Sequence, residues 1–144
     1  MNFMAKAFVA GLVLVAGMAF AADATDPTVK ARQMLMDANG AAAKALGGMA
    51  GGEVAFDAVA AEAAKAVLIA NAADTPAKFE MQAEDPASKA KADIWTNWDD
   101  FVADANALGA AAAAMDATTL DGVKAGLGAI GGACKACHTE YKAS

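Results

Sequence analysis

The sequence has little of the residue types on which most metal and nucleic-acid sites depend. It contains one histidine and two cysteines in 144 residues, so a structural zinc site, which needs four ligands, could be completed only with a carboxylate. Lysine and arginine number 11 against 17 aspartate and glutamate residues, and the basic residues are scattered instead of forming a stripe. These features argue against nucleic-acid binding, whereas the acidic balance favours partners with a basic surface.

Long apolar runs are also missing, and the most prominent short one lies at the N-terminus. Lys6 precedes an apolar run over residues 8–18, and Ala19-Phe20-Ala21 gives an A-x-A cleavage site. This is the pattern of a secretory signal peptide, and the run is shorter than the roughly 20 residues that a membrane-spanning helix needs. We therefore predict a signal peptide over residues 1–21 and a single soluble domain over residues 22–144, exported to the periplasm without a membrane span.

Aromatic residues make up only 6% of the chain. Alanine dominates, which favours helices because alanine loses no side-chain entropy in a helix, and the long apolar–polar alternations of strands are absent from the sequence. Turn signals divide the chain into four predicted helices, over residues 26–46, from 58 to about 74, 90–114, and from 118 or 119 to about 142. Their lengths and mostly short connections predict an all-α, antiparallel four-helix bundle.

The third predicted helix has one apolar face. On a helical wheel its members are Ile94, Trp95, Trp98, Phe101, Val102, Ala105, Leu108, Gly109 and Ala112. We interpret the two tryptophans as core packing in preference to an electron-transfer role, because aromatic residues at helical spacing are usually buried. Gly109, which has no side chain, is predicted to let a neighbouring helix approach closely.

The stretch "GGACKACHTEY" holds both cysteines and the only histidine of the chain. Cys134, Cys137 and His138 form a C-x-x-C-H pattern, which is typical of covalent haem attachment. Two thiols three residues apart on a helix face the same way, so both can add to the vinyl groups of one porphyrin, and the adjacent imidazole can reach the iron. The pattern predicts one haem c on the C-terminal helix.

Three other interpretations fit these residues less well. A thiol redox pair opens a helix next to a strand, but this pair comes late in a terminal helix and no strand pattern precedes it. A structural zinc site lacks a fourth ligand of the usual kind. A disulfide between residues three apart would close a very small loop and add little stability.

A protein-derived sixth iron ligand cannot be a second histidine, which leaves methionine, lysine or an unusual donor, and Met36 is the best candidate among the methionines. Met36 shares a face of the first predicted helix with small residues, where a flat macrocycle could approach the backbone. Met34 points to the opposite side. Arg32, one turn before Met36, faces the same way and either pairs with a haem propionate or is a solvated surface charge.

These residues together resemble the class II cytochromes c, the family of cytochrome c prime and its low-spin relatives. The resemblance rests on C-x-x-C-H near the C-terminus followed by Tyr141-Lys142, on "ARQMLMDANG" in the first helix and on "DIW" at the start of the third. It covers the whole mature chain. The resemblance implies a four-helix bundle with haem on the last helix, and a residue over the distal face of the haem at the position of Met36.

The resemblance also implies one of two functions. Cytochrome c prime proper is five-coordinate and binds nitric oxide or carbon monoxide, whereas its low-spin relatives use methionine as sixth ligand and carry electrons. "LMDANG" and the lysine at Lys142, where cytochrome c prime usually has arginine, favour the second. We therefore predict an electron carrier and not an enzyme, with His138 and Met36 as iron ligands and redox proteins with a basic docking surface as partners. Homodimers through the first two helices occur in the family.

Overall fold

The structure, a computed structural model, describes residues 23–144, and the predicted signal peptide lies outside the described residues. Five helices follow one another: α1 (Pro27–Gly51), α2 (Ala58–Phe79), α3 (Asp93–Thr96), α4 (Trp98–Ala114) and α5 (Leu120–Tyr141). The four long helices form a bundle in which α1 packs on α2, α2 on α4, α4 on α5 and α5 on α1. The predicted all-α four-helix bundle is confirmed. Within residues 23–144, none of the helices combines the length and apolarity needed to span a bilayer.

Polar side chains define where three of the helices begin. Asp26 accepts hydrogen bonds from the amides of Thr28 and Val29 at 2.8 and 3.0 Å, so it caps α1, which begins one residue after the predicted start at residue 26. Asp57 caps α2 in the same way. Thr119 accepts a bond from the Gly122 amide at 3.1 Å, which confirms the predicted start of the last helix. Each cap satisfies amides that have no partner inside their own helix.

The first helix is longer than its sequence predicts. It continues through "GGMAG" to Gly51 and ends at Gly52, whose φ of 76° is left-handed and costs glycine little. The predicted end at Leu46 is therefore wrong. Met49 is 5% exposed in the core, and the burial of this side chain outweighs the low helix propensity of its glycine neighbours.

The second helix also extends beyond its predicted end. Pro76 removes one amide donor from the helix, yet α2 continues to Phe79. Thr75 and Phe79 are both buried against the bundle, and this packing holds the last turn in place. The prediction that the helix ends near Asp74 is wrong, and it assigned Phe79 to a connecting loop.

The third predicted helix is divided into α3 and α4 at Asn97. The backbone there leaves the helical region, with φ −121° and ψ 45°, at a residue type whose side chain competes with helical hydrogen bonds. The predicted apolar face is nevertheless buried on both sides of the break, since Ile94 and Phe101 are fully buried. The predicted close approach at Gly109 is confirmed, because a Cβ there would lie 3.3 Å from that of Ala72.

The core has two parts at opposite ends of the bundle. A large cluster of small aliphatic side chains joins α1, α2, α4 and α5, and includes Leu46, Leu68, Ala112 and Ile130. A smaller one, here called the cavity cluster, consists of Phe79, Ile94, Phe101 and Tyr141. The rings of Phe79 and Tyr141 lie 5.2 and 5.3 Å from that of Phe101. Trp95 and Trp98 pack against the cavity cluster, as the sequence predicts.

The carboxylate of Asp85 joins the N-terminal segment to the loop between α2 and α3. It accepts hydrogen bonds from the amides of Asp26, Ala87 and Thr25 at 2.8 to 2.9 Å and from the Thr25 hydroxyl at 3.0 Å. These bonds lower the pKa of Asp85 to about 2. The folded-state pKa lies below that of the unfolded chain, so the stabilisation is present above about pH 4 and is lost as the pH falls towards 2.

We expect Asp85→Asn to lower the free energy of unfolding at pH 7, because the neutral amide accepts the same bonds less strongly. The variant should also lose less stability than the wild type between pH 4 and pH 2. Urea unfolding of the haem-loaded protein across this range measures both effects. Asp99→Asn, at an exposed carboxylate of α4, is the matched control, and equal pH profiles for Asp85→Asn and the wild type would contradict the assignment.

Candidate haem site

The last two turns of α5 present the three residues of the C-x-x-C-H pattern. Cys134 and Cys137 are half-buried free thiols, and they contact different parts of the core. Cys134 packs against the large cluster, whereas Cys137 packs against the cavity cluster. The attachment residues therefore lie where the two parts of the core meet.

A cavity of about 350 Å³ opens at this end of the bundle, which is within the usual range of about 300 to 1,000 Å³ for ligand pockets. Its wall combines residues of α1, α2, α3, α4, α5 and the α2–α3 loop. Among them are Val29, Arg32, Met36, Phe79, Ala90, Ile94, Phe101, Cys137, His138, Tyr141 and Lys142. The structure thus brings four of the five predicted site residues to one cavity, and it places the fifth, Cys134, one turn away on α5.

Met36 is the only methionine of the described residues that lines this cavity. It is half-buried on α1 and packs against the cavity cluster together with Cys137. Met34 is 65% exposed on the other side of the helix, Met81 is 67% exposed in the loop, and Met49 and Met115 are buried in the large cluster. The face that the helical wheel predicts for Met36 is therefore the face that meets the cavity.

Arg32 is buried, with 3% of its surface exposed. Its Nε donates a 2.9 Å hydrogen bond to the Lys78 carbonyl, and one Nη donates to the Met81 carbonyl. The guanidinium lies over the rings of Phe79 and Trp95, at 4.8 and 5.4 Å from their centroids. This position excludes the interpretation of Arg32 as a solvated surface charge.

One nitrogen of Arg32, Nη1, is buried without a hydrogen-bond partner among the described residues. Burial lowers the pKa of the guanidinium, although Asp26 acts in the opposite direction, and the group remains charged at neutral pH because its ordinary pKa is so high. A buried cationic donor without a partner is costly. Because Arg32 lines the cavity, an anionic group there could supply the missing acceptor.

The two thiols are poor nucleophiles in this environment. Burial raises the pKa of Cys134. Burial, and then the charge of Asp104 and the neighbouring Cys134 thiol, raise the pKa of Cys137 to about 11. Reactive cysteines of thiol redox proteins have a lowered pKa, so these residues are unsuited to act as attacking thiolates in the folded protein.

The environment of His138 favours the uncharged imidazole. Partial burial, and then the positive charge of Lys142, lower its pKa, so the imidazole is uncharged at neutral pH. The neutral imidazole is the form that binds metals. The side chain lines the same cavity as Met36, on a different helix.

Phe79 is the site residue that the sequence interpretation missed. Its ring belongs to the cavity cluster, and its carbonyl accepts a 2.7 Å hydrogen bond from Trp95 Nε1. The spacing of Leu68, Ala72, Thr75 and Phe79 is helical throughout, and this periodicity could have identified it. The interpretation of Pro76 as the end of the helix left this periodicity unrecognised.

Comparison with known proteins agrees with the fold and the motif. The sequence profile of the family described as Cytochrome C' matches residues 27–142. Cytochrome c-556 of Agrobacterium fabrum is 36% identical over 132 residues, which cover 90% of this chain and 87% of the relative. Cytochrome c' of Pararhodospirillum photometricum is 37% identical over 119 residues, which cover 79% of this chain and 94% of the relative. The solved structure of cytochrome c' from Rhodobacter Spheriodes matches with a TM-score of 0.73 at 29% identity, over 81% of this chain and 95% of that one.

The chain therefore belongs to the cytochrome c' family of class II cytochromes c. Members of this family carry a covalently attached haem c, and the predicted cofactor is confirmed. The cavity fits this group in three respects: its wall is largely apolar and aromatic, α5 offers two thiols three residues apart beside an imidazole, and Arg32 offers an unpaired buried cation. Both family names, cytochrome c-556 and cytochrome c', occur among the relatives.

Proposed function

We propose that the protein is a periplasmic electron carrier with one low-spin haem c. Cys134 and Cys137 hold the porphyrin through thioether bonds, His138 is the proximal iron ligand and Met36 is the distal one. Bound there, haem iron alternates between the ferric and ferrous states, which takes up or releases one electron. The observation that carries the proposal is the position of Met36, which lines the cavity from α1 while His138 lines it from α5.

The protein residues hold and shield the cofactor, and none of them acts on a substrate. Met36 and His138 belong to two long helices of one bundle, so the donor atoms are held by rigid elements when the charge of the site changes. A thioether favours the ferrous state and raises the reduction potential. Phe79, Phe101 and Tyr141 form an apolar aromatic part of the cavity wall, which disfavours water beside the cofactor.

Arg32 compensates the negative charge of a haem propionate in this proposal. Its Nη1 is the one buried side-chain nitrogen or oxygen of the described residues that has no partner. A carboxylate at this nitrogen would form a charge-assisted hydrogen bond. The two backbone carbonyls that bind the other nitrogens keep the guanidinium in place.

The absorption spectrum of the export-matured protein, ferric and ferrous, with and without carbon monoxide, tests the proposal. We expect a low-spin spectrum with a sulfur-to-iron charge-transfer band, insensitive to carbon monoxide. A high-spin spectrum that shifts on addition of the gas would overturn methionine ligation. That result would favour the second candidate, a gas-binding protein in which Met36 only packs over the iron. The relatives named cytochrome c' are the observation that supports this alternative.

The attachment residues are tested by single and double serine variants of Cys134 and Cys137. We expect the export-matured wild type to carry the mass of one haem after denaturation, and the double variant to carry none, because both covalent bonds need a thiol. Each single variant should retain at most one thioether bond. Intact-protein mass spectrometry measures the outcome, and a wild-type mass equal to that of the bare polypeptide would instead favour a thiol protein.

A further inference from the structure

The buried polar side chains of residues 23–144 all lie on the first two helices. They are Arg32 and Asn39 of α1 and Thr75 of α2. Each of them forms a hydrogen bond within this pair of helices. A polar group is costly to bury unless it is bonded, so α1 and α2 share a polar network in a bundle whose other buried side chains are apolar.

Asn71 of α2 is the centre of this network. Its Nδ2 donates a 2.9 Å hydrogen bond to Asn39 Oδ1 and a longer one, of 3.3 Å, to the carbonyl of Leu35. The Asn71 carbonyl accepts a 2.7 Å bond from the Thr75 hydroxyl, one turn further along α2. The carbonyl of Leu35 belongs to the same planar peptide unit as the amide of Met36. Asn71 therefore bonds directly to the backbone that carries Met36.

Arg32 forms a second attachment between the same two helices, through the 2.9 Å hydrogen bond from its Nε to the Lys78 carbonyl. Arg32 and Asn39 are seven residues apart on α1, and Asn71 and Lys78 are seven residues apart on α2. Seven residues span about 10.5 Å of a helix, so both attachments define one antiparallel alignment of α1 against α2. Met36 lies between them, four residues after Arg32 and three before Asn39.

The apolar contacts between α1 and α2 define this alignment less sharply. Three of the six buried residues of α2 are alanines, namely Ala61, Ala64 and Ala72, and hydrophobic contact between such small side chains is not directional. Buried polar groups can instead fix the register of packed helices, as a buried asparagine does in coiled coils. A movement of α1 along its own axis would carry Met36 along the wall of the haem cavity.

We propose that Asn71 is a positioning residue for the distal side of the haem. Through Asn39 and the Leu35 carbonyl it holds α1 in the alignment in which Met36 and His138 line the same cavity. This inference rests on the proposed electron-carrier function, and Asn71 itself does not line the cavity. A fixed α1 keeps the thioether in place over the iron, whereas a loosened α1 lets Met36 move aside for an external ligand.

Cyanide titration of the ferric, haem-loaded protein measures how firmly Met36 occupies the distal side, because cyanide must displace this side chain to reach the iron. The variant Asn71→Leu keeps the approximate side-chain size and removes the polar atoms. We expect it to bind cyanide about tenfold more tightly than the wild type, on the scale of one lost hydrogen bond. The sulfur-to-iron charge-transfer band should weaken in the same variant. Equal cyanide affinities in variant and wild type would overturn the proposal.

A double variant, Asn39→Leu with Asn71→Leu, separates positioning from stability. Replacement of both partners of a buried hydrogen bond by apolar groups of similar shape can be nearly neutral for stability. We therefore expect the double variant to unfold in urea close to the wild type and yet to keep the tighter cyanide binding, since apolar contact does not restore a directional alignment. A cyanide affinity that returns to the wild-type value together with the stability would show a purely structural role and overturn the proposal.

Val123→Ala is the matched control for a general loosening of the bundle. Val123 is fully buried in the large cluster on α5 and does not line the haem cavity. Its truncation should lower the free energy of unfolding and leave the cyanide affinity as in the wild type. A gain in cyanide affinity equal to that of Asn71→Leu would mean that any loss of stability releases Met36, and would overturn the specific role of Asn71.

The absorption spectrum of the wild type before the titration reports on the proposed function separately. A high-spin wild type would overturn methionine ligation, but the cyanide comparison would still decide the positioning role, because a methionine that only packs over the iron must also move aside. A low-spin wild type together with an unchanged cyanide affinity in Asn71→Leu would overturn the positioning role alone.

Discussion

We expect the replacement of Met36 with alanine to convert the haem from a low-spin, gas-insensitive form to a high-spin form that binds carbon monoxide. The expected change is large because no other methionine of the described residues lines the cavity and could take its place. Removal of the side chain also leaves space beside the cavity cluster, against which Met36 packs. Absorption spectra of the ferric and ferrous variant, with and without the gas, measure the conversion.

Met34→Ala is the matched control for this experiment. Met34 belongs to the same helix but is 65% exposed and lies away from the cavity, so its loss should leave the spectrum and the response to carbon monoxide as in the wild type. A low-spin spectrum in Met36→Ala would refute the assignment of the distal ligand. A high-spin wild type would show instead that Met36 packs over the iron without binding it.

Replacing Arg32 with methionine should lower the free energy of unfolding by about 3 kcal/mol. The substitution keeps most of the side-chain volume but removes the donors to the carbonyls of Lys78 and Met81, and a buried hydrogen bond from a charged group contributes about 1.5 to 3 kcal/mol. The cation stacked on Phe79 and Trp95 is lost as well. Urea unfolding of the haem-loaded variant measures the change.

The same variant distinguishes a purely structural role of Arg32 from a role towards the haem. A positive charge beside a propionate favours the more negative ferrous form, so its removal should lower the reduction potential. Lys30→Met, on the exposed part of α1, removes the same charge away from the cavity. Reduction potentials that fall equally in both variants, or in neither, would contradict the contact between Arg32 and a propionate.

The sequence predicts the bundle and the haem residues for identifiable physical reasons. The C-x-x-C-H pattern works through local helical spacing, and the faces that carry Met36 and Phe101 follow from the helical repeat. These features depend on neighbours within a few residues. A sequence-based interpretation is most reliable for such features because no distant contact is needed to define them.

Features that depend on distant contacts were not predictable in the same way. α1 continues past its glycines and α2 past Pro76 because Met49 and Phe79 are buried by other helices. The environment of Arg32 depends on the carbonyls of residues 46 and 49 positions further along the chain. Local propensity favours an early helix end and a solvated arginine, and tertiary packing overrides both.

The division of the core into two clusters links haem binding to the stability of one of them. The large cluster is complete without a cofactor, whereas the cavity cluster surrounds a space of about 350 Å³. An apolar wall with nothing packed against it loses dispersion contacts and is the less stable end of the molecule. We therefore expect a chain that has not received its haem to open first at α3 and the ends of α2 and α5, where proteases can recognise it. Cofactor loading and resistance to proteolysis would in this way be coupled through the same few aromatic side chains.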